Sequence, residues 1–514
     1  MNIKKAKEEI KNTVKAYLRK DAEGEYIIPA IRQRPILLIG PPGVGKTQIM
    51  EQISKECRIG LVSYTITHHT RQSAVGLPFI VEEEFEGKKY SITEYTMSEI
   101  IASVYRKIKE SGISEGILFI DEINCVSETL APTMLQFLQC KTFGNQAVPK
   151  GWIIVAAGNP PEYNKSVREF DMVTLDRVRK INVEADFNIW KEYAINNHIN
   201  RAIINYLELR PNNFYRVEAD IDGMQFVTAR GWEDLSNLYD AYHDIGIKVD
   251  EEIIFEFIQH EDIAKDVAAY FEIYEKYKND YGIQDIIAGK PSQQAYKNIF
   301  DASFDERISV INLLISGLEV IFHKVYIKKM LTDVWYDFLK KYKVRLSEDA
   351  KEGEDRALSI YDALLEEKKI AFDRDKKAGF LNKDEIKTNE YLIEKLTQNR
   401  IKSEEEKDAD AAFEKALKGF EIQRQELEET EDGAATGLDN VFAFIEETLG
   451  AGQEMVVFVT ELTLNSEAAL FLSDNPSEKY QKYNNELLIG TKKAEIMSKL
   501  RKDEIYAGEH EREF

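Results

Sequence analysis

A glycine-rich loop between an apolar run and a helical pattern constrains this chain more than any other stretch. The apolar run covers 36–39, and the loop after it fits G-x-x-x-x-G-K-[ST] at every fixed position. The loop reads Gly40, Pro41, Pro42, Gly43, Val44, Gly45, Lys46 and Thr47, and Gln48 opens the helical continuation. Because glycines let backbone N–H groups turn inward, the sequence predicts a phosphate-binding loop between a strand and a helix. We expect Lys46 to reach the β- and γ-phosphates of a nucleotide and the Thr47 hydroxyl to ligate Mg²⁺.

Apolar runs alternate with helical patterns through the first part of the chain, which predicts a parallel sheet with helices on both faces. The predicted strands are Pro35–Ile39, Leu61–Thr65, Gly116–Ile120, Trp152–Ala156 and Lys180–Val183. The predicted helices between them are Thr47–Cys57, Ser98–Ser111 and Glu128–Leu138. Two alternating runs around a Glu86-Gly87-Lys88 turn predict a β-hairpin inserted near 79–95.

The pattern after about residue 187 is helical. We therefore expect an N-terminal helix at 1–20, an α/β core at 21–186, a helical lid at 187–290 and a mainly helical extension at 291–514. The charged stretch Ser347–Thr430 indicates long solvated helices, and 428–437 is interpreted as an acidic, glycine-containing linker. The apolar segment Met455–Leu464 fits a strand or a helix equally well.

The overall charge narrows the classes of partner. With 68 basic and 91 acidic residues the chain carries a formal net charge of −23. Binding to nucleic-acid phosphates requires a basic stripe, so this balance disfavours a nucleic-acid partner. No uninterrupted apolar run reaches the ~18–20 residues of a membrane span, and residues 1–10 lack the apolar core of a signal peptide. We expect a cytoplasmic protein with no membrane partner.

Polar side chains end two of the predicted strands. Asp121 and Glu122 follow the run 117–120, and Asn159 follows the run 152–158. Asp121 could hold the water shell of Mg²⁺ beside Thr47, and Glu122 could polarise an attacking water. Asn159 could bond the γ-phosphate or orient that water. Each of these residues also has a purely structural interpretation. The two acids would mark the start of a helix, and Asn159 would form a turn with the proline after it.

These motifs together resemble the AAA+ ATPases, and most closely the MoxR-like branch, the AAA_5 type related to dynein modules. Gly40–Thr47 is similar to the Walker A motif, Ile117–Glu122 to Walker B and Asn159 to the sensor 1 asparagine. The segment Thr70–Pro78 and the predicted hairpin resemble that branch's Val-Gly-Leu-Pro segment and helix-2 insert. The resemblance spans about residues 20–290 and implies a P-loop AAA+ core with a five-stranded parallel sheet, followed by the lid.

The resemblance also implies roles for two arginines. Thr174–Val178 resembles the turn before the fifth strand, which makes Arg177 the candidate arginine finger, with Arg179 and Arg168 as alternatives. Thr228–Glu233 resembles the sensor 2 motif, so Arg230 would contact the γ-phosphate of its own subunit. An arginine supplied to a neighbour implies an oligomer, and the family pattern implies a hexamer and a partner with a von Willebrand factor type A domain.

The sequence leaves three functions open. The first is hydrolysis of ATP with Mg²⁺ to drive chaperone-like remodelling or maturation of a protein partner. The second is a nucleic-acid motor of the restriction or helicase type, for which Lys88, Lys89, Lys141 and Lys150 are the basic candidates. The third is a nucleotide-gated scaffold without turnover. The catalytic set Lys46, Glu122, Asn159, Arg177 and Arg230, with Asp121 as a metal ligand, favours the first.

Overall fold

The chain forms two compact units. The computed structural model describes residues 1–68, 72, 74, 76–143, 146–163, 167, 170–220, 223–348, 356–400 and 409–487. The first unit contains Met1–Trp190, Phe214–Asp234 and Asp362–Glu394. The second contains Lys191–Asn213, Leu235–Tyr361 and the chain from Lys395 onward.

A five-stranded parallel sheet forms the centre of the first unit. The strands of the described chain are β1 Ile36–Ile39, β2 Gly60–Thr65, β3 Pro78–Phe85, β4 Lys88–Tyr95, β5 Gly116–Asp121, β6 Thr142–Phe143, β7 Gln146–Ala147, β8 Trp152–Gly158, β9 Arg179–Asn182, β10 Arg216–Asp220 and β11 Gly223–Val227. The sheet has the order β2-β5-β8-β1-β9, with every pairing parallel. The predicted parallel sheet is confirmed, and each predicted strand lies within two residues of an observed one.

Both faces of the sheet are buried, which explains why its strands read as continuous apolar runs. Successive residues of β1 alternate between two cores: Ile36 and Leu38 pack in one, and Leu37 packs in the other. The helices of this layer are α1 Ile3–Tyr17, α2 Lys46–Cys57, α3 Glu99–Ser111, α4 Ala131–Cys140 and α5 Met172–Arg177. Each fully buried aliphatic side chain here contributes about 1.5–3 kcal/mol to folding.

The three two-stranded pairs stand apart from the main sheet. The pair β3 and β4 is the predicted hairpin, with Glu86 and Gly87 at its turn. The pair β10 and β11 lies inside the stretch 187–290 predicted as a helical lid, so this part of the stretch is strand and not helix. The alternation in 216–220 and the Asp222-Gly223 pair in the sequence are hairpin signals that helical periodicity on either side obscured.

Helices make up most of the remaining described chain. They are α6 Phe187–Asn196, α7 Arg201–Leu209, α8 Ala229–Asp244, α9 Glu251–Phe257, α10 Glu261–Tyr281, α11 Ile283–Ile287, α12 Gln293–Asp301, α13 Phe304–Glu348, α14 Arg356–Ala378, α15 Lys383–Gln398, α16 Ala409–Thr448, α17 Gln453–Leu464 and α18 Ser466–Asp474. The backbone is also helical over 478–487. The segment Met455–Leu464, left open between strand and helix, is helix.

The helix α13 is long and apolar enough to satisfy the composition of a membrane span, yet 61% of its most apolar window is buried inside the protein. It packs extensively against α16, α17 and α18 within the second unit. These contacts bury much of its apolar surface, as for the central helix of a helical domain.

The predicted linker at 428–437 is wrong, because these residues lie within the continuous helix α16. Leu427, Ala434 and Leu438 are buried along one face of that helix. Gly437 permits close packing, since a Cβ there would lie 3.2 Å from Cγ2 of Ile287. The acidic residues occupy the remaining faces, so their density marks an amphipathic helix and not a break in structure.

The charged stretch after 347 is less solvated than predicted. The charge run at 401–408 and residues 349–355 lie outside the described residues, but α14 and α15 bury Leu364 and Leu392. Their segment Asp362–Glu394 belongs to the first unit. There Arg58 pairs with Asp375 at 3.2 Å, and the Lys107 ammonium donates to the carbonyl of Lys377 at 3.0 Å.

Candidate functional site

The loop between β1 and α2 has the backbone form that a phosphate-binding loop requires. Gly43 and Gly45 have φ of 74° and 87°, a region that side chains with a Cβ rarely adopt. Gly43 also approaches Thr228 closely, since a Cβ at this glycine would lie 2.9 Å from Cβ of Thr228. The start of α2 adds the positive end of a helix dipole to the loop. These features create a site for an anion.

The ammonium group of Lys46 is held at the centre of this site. It donates to the carbonyl oxygens of Gly40 and Pro41, both at 2.8 Å, and to Oδ1 of Asn159 at 2.9 Å. Burial lowers the pKa of Lys46 to about 8, while Asp121 opposes the shift and Arg230 adds to it. The structure therefore brings together the predicted phosphate-binding lysine and the predicted strand-end asparagine.

The predicted metal ligands Thr47 and Asp121 are adjacent. The Thr47 hydroxyl donates to Oδ2 of Asp121 at 3.1 Å. A hydroxyl and a carboxylate are oxygen donors, and Mg²⁺ prefers such donors together with waters and substrate phosphates. This pair fits Mg²⁺ by its chemistry and by its position at the start of α2.

Glu122 follows β5 in a left-handed backbone conformation. Its φ is 57°, which costs energy for a residue with a side chain and is concentrated at functional positions. The Thr67 hydroxyl donates to Oε2 of Glu122 at 2.9 Å. This bond orients the carboxylate, so Thr67 positions the residue predicted to activate water.

Asn159 is positioned from its backbone as well as by Lys46. The side chain of Asn124 donates to the carbonyl oxygen of Asn159 at 2.7 Å. Gly158 leaves room for this asparagine, because a Cβ on the glycine would lie 2.4 Å from Oδ1 of Asn124. Asn159 therefore leaves the sheet in a fixed direction and does more than form an Asn-Pro turn.

Arg230 lies in the first turn of α8 and is exposed. It is close enough for its charge to lower the pKa of Lys46. On the same helix Glu233 accepts a hydrogen bond from the Gln48 side chain at 3.0 Å. The start of α8 therefore packs against the phosphate loop. Its residue Glu233 holds the side chain of Gln48, which follows Thr47 in the sequence.

Arg177 is the predicted site residue that the structure does not bring to the loop. It ends α5, is exposed, and donates to Oε1 of Gln139. Of the alternatives, Arg179 is engaged with Glu9 and Thr13, and Arg168 lies outside the described residues. Arg177 therefore lies apart from the residues that meet at the phosphate loop.

Sequence reasoning missed several residues that support the site. Besides Thr67 and Asn124, they include Tyr215, whose hydroxyl donates to the carbonyl of Pro42 at 3.0 Å. The position of Thr67 just after the carboxyl end of β2 was a usable signal, because neighbouring parallel strands end at the same edge of the sheet. Tyr215 had no such signal, since only the fold brings it to the loop.

Comparison with known families agrees with this geometry. Residues 36–175 match the model of the ATPase family associated with various cellular activities (AAA). The matched region contains the phosphate loop, Asp121, Glu122 and Asn159, and it ends before β9. This match supports an AAA+ ATPase, and such a domain implies ATP binding and hydrolysis in general. Comparison with curated proteins gives no match.

Proposed function

We propose that the chain hydrolyses ATP to drive remodelling or maturation of a protein partner as part of an oligomeric ring. The observation that carries the catalytic part is the convergence of Lys46, Asn159 and the Thr47–Asp121 pair at one edge of the sheet. The scaffold alternative, binding without turnover, is disfavoured because Glu122, a carboxylate able to accept a proton from water, directly follows β5 at the same edge.

The residues of the chain divide the catalytic task. The loop amides and Lys46 bind the phosphates, and Lys46 exchanges its two carbonyl partners for phosphate oxygens. Glu122 accepts a proton from the attacking water, and Asn159 orients that water or the γ-phosphate. Thr47 and Asp121 would hold Mg²⁺, which neutralises the charge that develops on the phosphates. Arg230 contributes a positive charge from the start of α8.

The oligomer is supported by the surface around Arg177. On the same short helix Met172 is 84% exposed and Val173 is 52% exposed. Exposed apolar side chains beside an arginine are typical of a surface that another chain covers. A second copy placed there would receive Arg177 at its nucleotide, where the guanidinium stabilises transition-state charge. A hexamer is the arrangement that we propose.

The finer assignment rests on the resemblance to the MoxR-like branch. The hairpin of β3 and β4 resembles the insert of that branch, and the proposed partner is a protein with a von Willebrand factor type A domain. A cytoplasmic location remains part of the same proposal. Chaperone-like use of ATP accords with the net charge of −23, which repels nucleic acid.

The charges of the structure also weigh against the nucleic-acid motor. Of the basic candidates, Lys141 is buried and donates to the carbonyl of Ala30, and Lys150 pairs with Glu25. Lys88 and Lys89 remain at the hairpin turn, and Lys89 pairs with Glu82 on the facing strand. The hairpin therefore offers no basic stripe for phosphates.

A trapping experiment tests the proposed function. The Glu122→Gln variant with ATP and Mg²⁺ should hold a closed ring and retain its protein partner on an affinity column, whereas Lys46→Ala should not. Recovery of a defined protein only with Glu122→Gln and ATP supports the proposal. ATP hydrolysis that DNA stimulates, with no protein retained, would instead favour the motor.

A further inference from the structure

Two histidines and a glutamate from distant parts of the sequence converge in the second unit. His198 lies between α6 and α7, His323 lies within α13, and Glu467 lies in the first turn of α18. Nδ1 of His323 is 2.9 Å from Oε1 of Glu467, and Nε2 of His198 is 3.5 Å from the same oxygen. One ligand atom from each residue lies within 4.8 Å of the others.

The Glu467 residue is fixed by its backbone, and one oxygen of its carboxylate is unsatisfied within the described chain. Asn465 caps the start of α18 by accepting from the backbone N–H groups of Glu467 and Ala468. Oε2 of Glu467 is buried and has no hydrogen-bond partner among the described residues. Because an unsatisfied buried carboxylate oxygen is costly, this atom indicates a missing partner at the cluster.

We propose that His198, His323 and Glu467 form a binding site for Zn²⁺ or a similar first-row divalent metal ion. Imidazole nitrogens and a carboxylate oxygen are the donors that such ions take, and three protein ligands leave one position for water. Ligands at 2.0–2.2 Å in a tetrahedron lie about 3.3–3.5 Å from one another. The observed separations from Glu467 need shifts of only a few tenths of an ångström.

The site would join three segments that are far apart in the sequence. It connects the loop before α7 to the long helix α13 and to the start of α18, all within the second unit. Binding of the ion to the folded state alone would stabilise that unit by mass action. The spacing of the three residues matches no metal motif, so the site could not be recognised from the sequence.

Left-handed backbone at His198 guides the choice of variants. Its φ is 55°, and asparagine tolerates this region better than most residues. His198→Asn therefore removes the imidazole with the least disturbance of the loop. His323→Asn removes the second nitrogen ligand from α13. His243→Asn is the matched control, because His243 is an exposed histidine of the same unit.

The test is a titration of the full, metal-stripped chain with Co²⁺ in excess Mg²⁺, which keeps the Thr47–Asp121 pair from competing. The wild type and His243→Asn should bind about one equivalent and develop the intense visible band of four-coordinate Co²⁺. His198→Asn and His323→Asn should bind about 100-fold more weakly and lose the band, with unchanged far-ultraviolet circular dichroism.

Two results would overturn the proposal. One is a wild-type protein that shows only the weak absorption of six-coordinate Co²⁺, which would mean that the cluster is an ordinary hydrogen-bonded ion pair. The other is an identical titration for His243→Asn and His198→Asn. Because His198 is exposed and its variant is mild, this comparison remains decisive even when His323→Asn fails to fold.

Discussion

The Lys46 ammonium lies 2.9 Å from Oδ1 of Asn159, although the two residues are 113 positions apart. One stands at the start of α2 and the other directly after β8. Parallel pairing of β1 with β8 brings these two points to the same edge of the sheet. The bond therefore links the residue proposed to bind phosphate to the residue proposed to orient the reacting groups.

Replacement of Lys46 should abolish tight nucleotide binding. Lys46→Ala removes a buried cation and its charge-assisted hydrogen bonds, and we expect ATP to bind at least ~100-fold more weakly, about 2.7 kcal/mol. Isothermal titration calorimetry measures this. The control is Lys55→Ala on the same helix, which should bind as the wild type does. Equal affinities for the two variants would remove Lys46 from the site.

The affinity for ATP should fall as pH rises above 8. In the free protein burial lowers the pKa of Lys46 to about 8, so the side chain loses its proton above that pH. Bound phosphates favour the charged form, and their own second ionisation, with pKa about 6, is already complete. Binding above pH 8 therefore takes up a proton, and affinity should weaken by up to ~10-fold per pH unit.

Calorimetry in buffers of different ionisation enthalpy measures that proton uptake directly. Lys46→Arg is the matched variant, because a guanidinium keeps its proton throughout this range. Its affinity, whatever its absolute value, should stay constant between pH 7.5 and 9. A wild-type affinity that is equally constant would contradict the assignment of the lowered pKa to Lys46.

The proposed action of Arg177 on a neighbouring subunit can be tested by mixing inactive variants. Arg177→Ala and Glu122→Gln should each lose at least ~100-fold in turnover. In mixed oligomers an Arg177 from one chain meets an intact Glu122 of another, so mixing should restore a measurable fraction of activity. Lys180→Ala, an exposed residue nearby, should remain active alone.

No recovery on mixing, with oligomers shown to exchange subunits, would contradict an arginine supplied between chains. Full activity of Arg177→Ala would remove the residue from catalysis altogether. If Arg177→Ala fails to assemble but keeps its basal turnover, Arg177 and the exposed surface at Met172 and Val173 serve only as an interface.

The second unit should depend on a buried ion network around Arg201. Arg201 is 4% exposed and donates to Glu461 at 2.8 Å and to Glu319 at 2.9 Å. Arg201→Met removes the guanidinium that pairs with both carboxylates, and we expect a loss of about 3–5 kcal/mol in unfolding free energy. Arg210→Met should cost less than about 1 kcal/mol, because the side chains of Arg210 and Asp266 are 43% and 33% exposed and solvent weakens their attraction.

Chemical denaturation of the two variants gives the comparison. A lowered pKa of Glu461 is consistent with the network, since Lys191 and Arg201 overcome the burial that opposes its ionisation. Similar midpoints for Arg201→Met and Arg210→Met would show that packing, and not charge pairing, holds these helices together.

The sheet and the phosphate loop could be predicted because their signals are local. The apolar strands, the glycine loop and the acids of 121–122 each occur within a few consecutive residues, and parallel strand ends meet at one edge. The hairpin of β10 and β11 was not predicted, because the helical periodicity on both sides outweighed a five-residue alternation. Acidic residues around 428–437 suggested a linker, since the pattern did not reveal the buried face at Ala434 and Leu438.

The supporting contacts of the site depend on the fold and could not be predicted in the same way. Tyr215 reaches Pro42 across 173 positions, and Glu233 reaches Gln48 across 185. Neither contact follows from a motif, because both require the chain after α7 to return to the loop. The cluster of His198, His323 and Glu467 could not be predicted either, because only the fold brings these residues together.

The hydrolysis of ATP by Glu122→Gln tests the central claim most directly. Under saturating ATP and Mg²⁺ the variant should bind nucleotide like the wild type and turn over at least ~100-fold more slowly, because an amide cannot accept the proton of the attacking water. Glu110→Gln, an exposed acid at the end of α3, should match the wild type. Turnover by Glu122→Gln equal to that of Glu110→Gln would contradict the account.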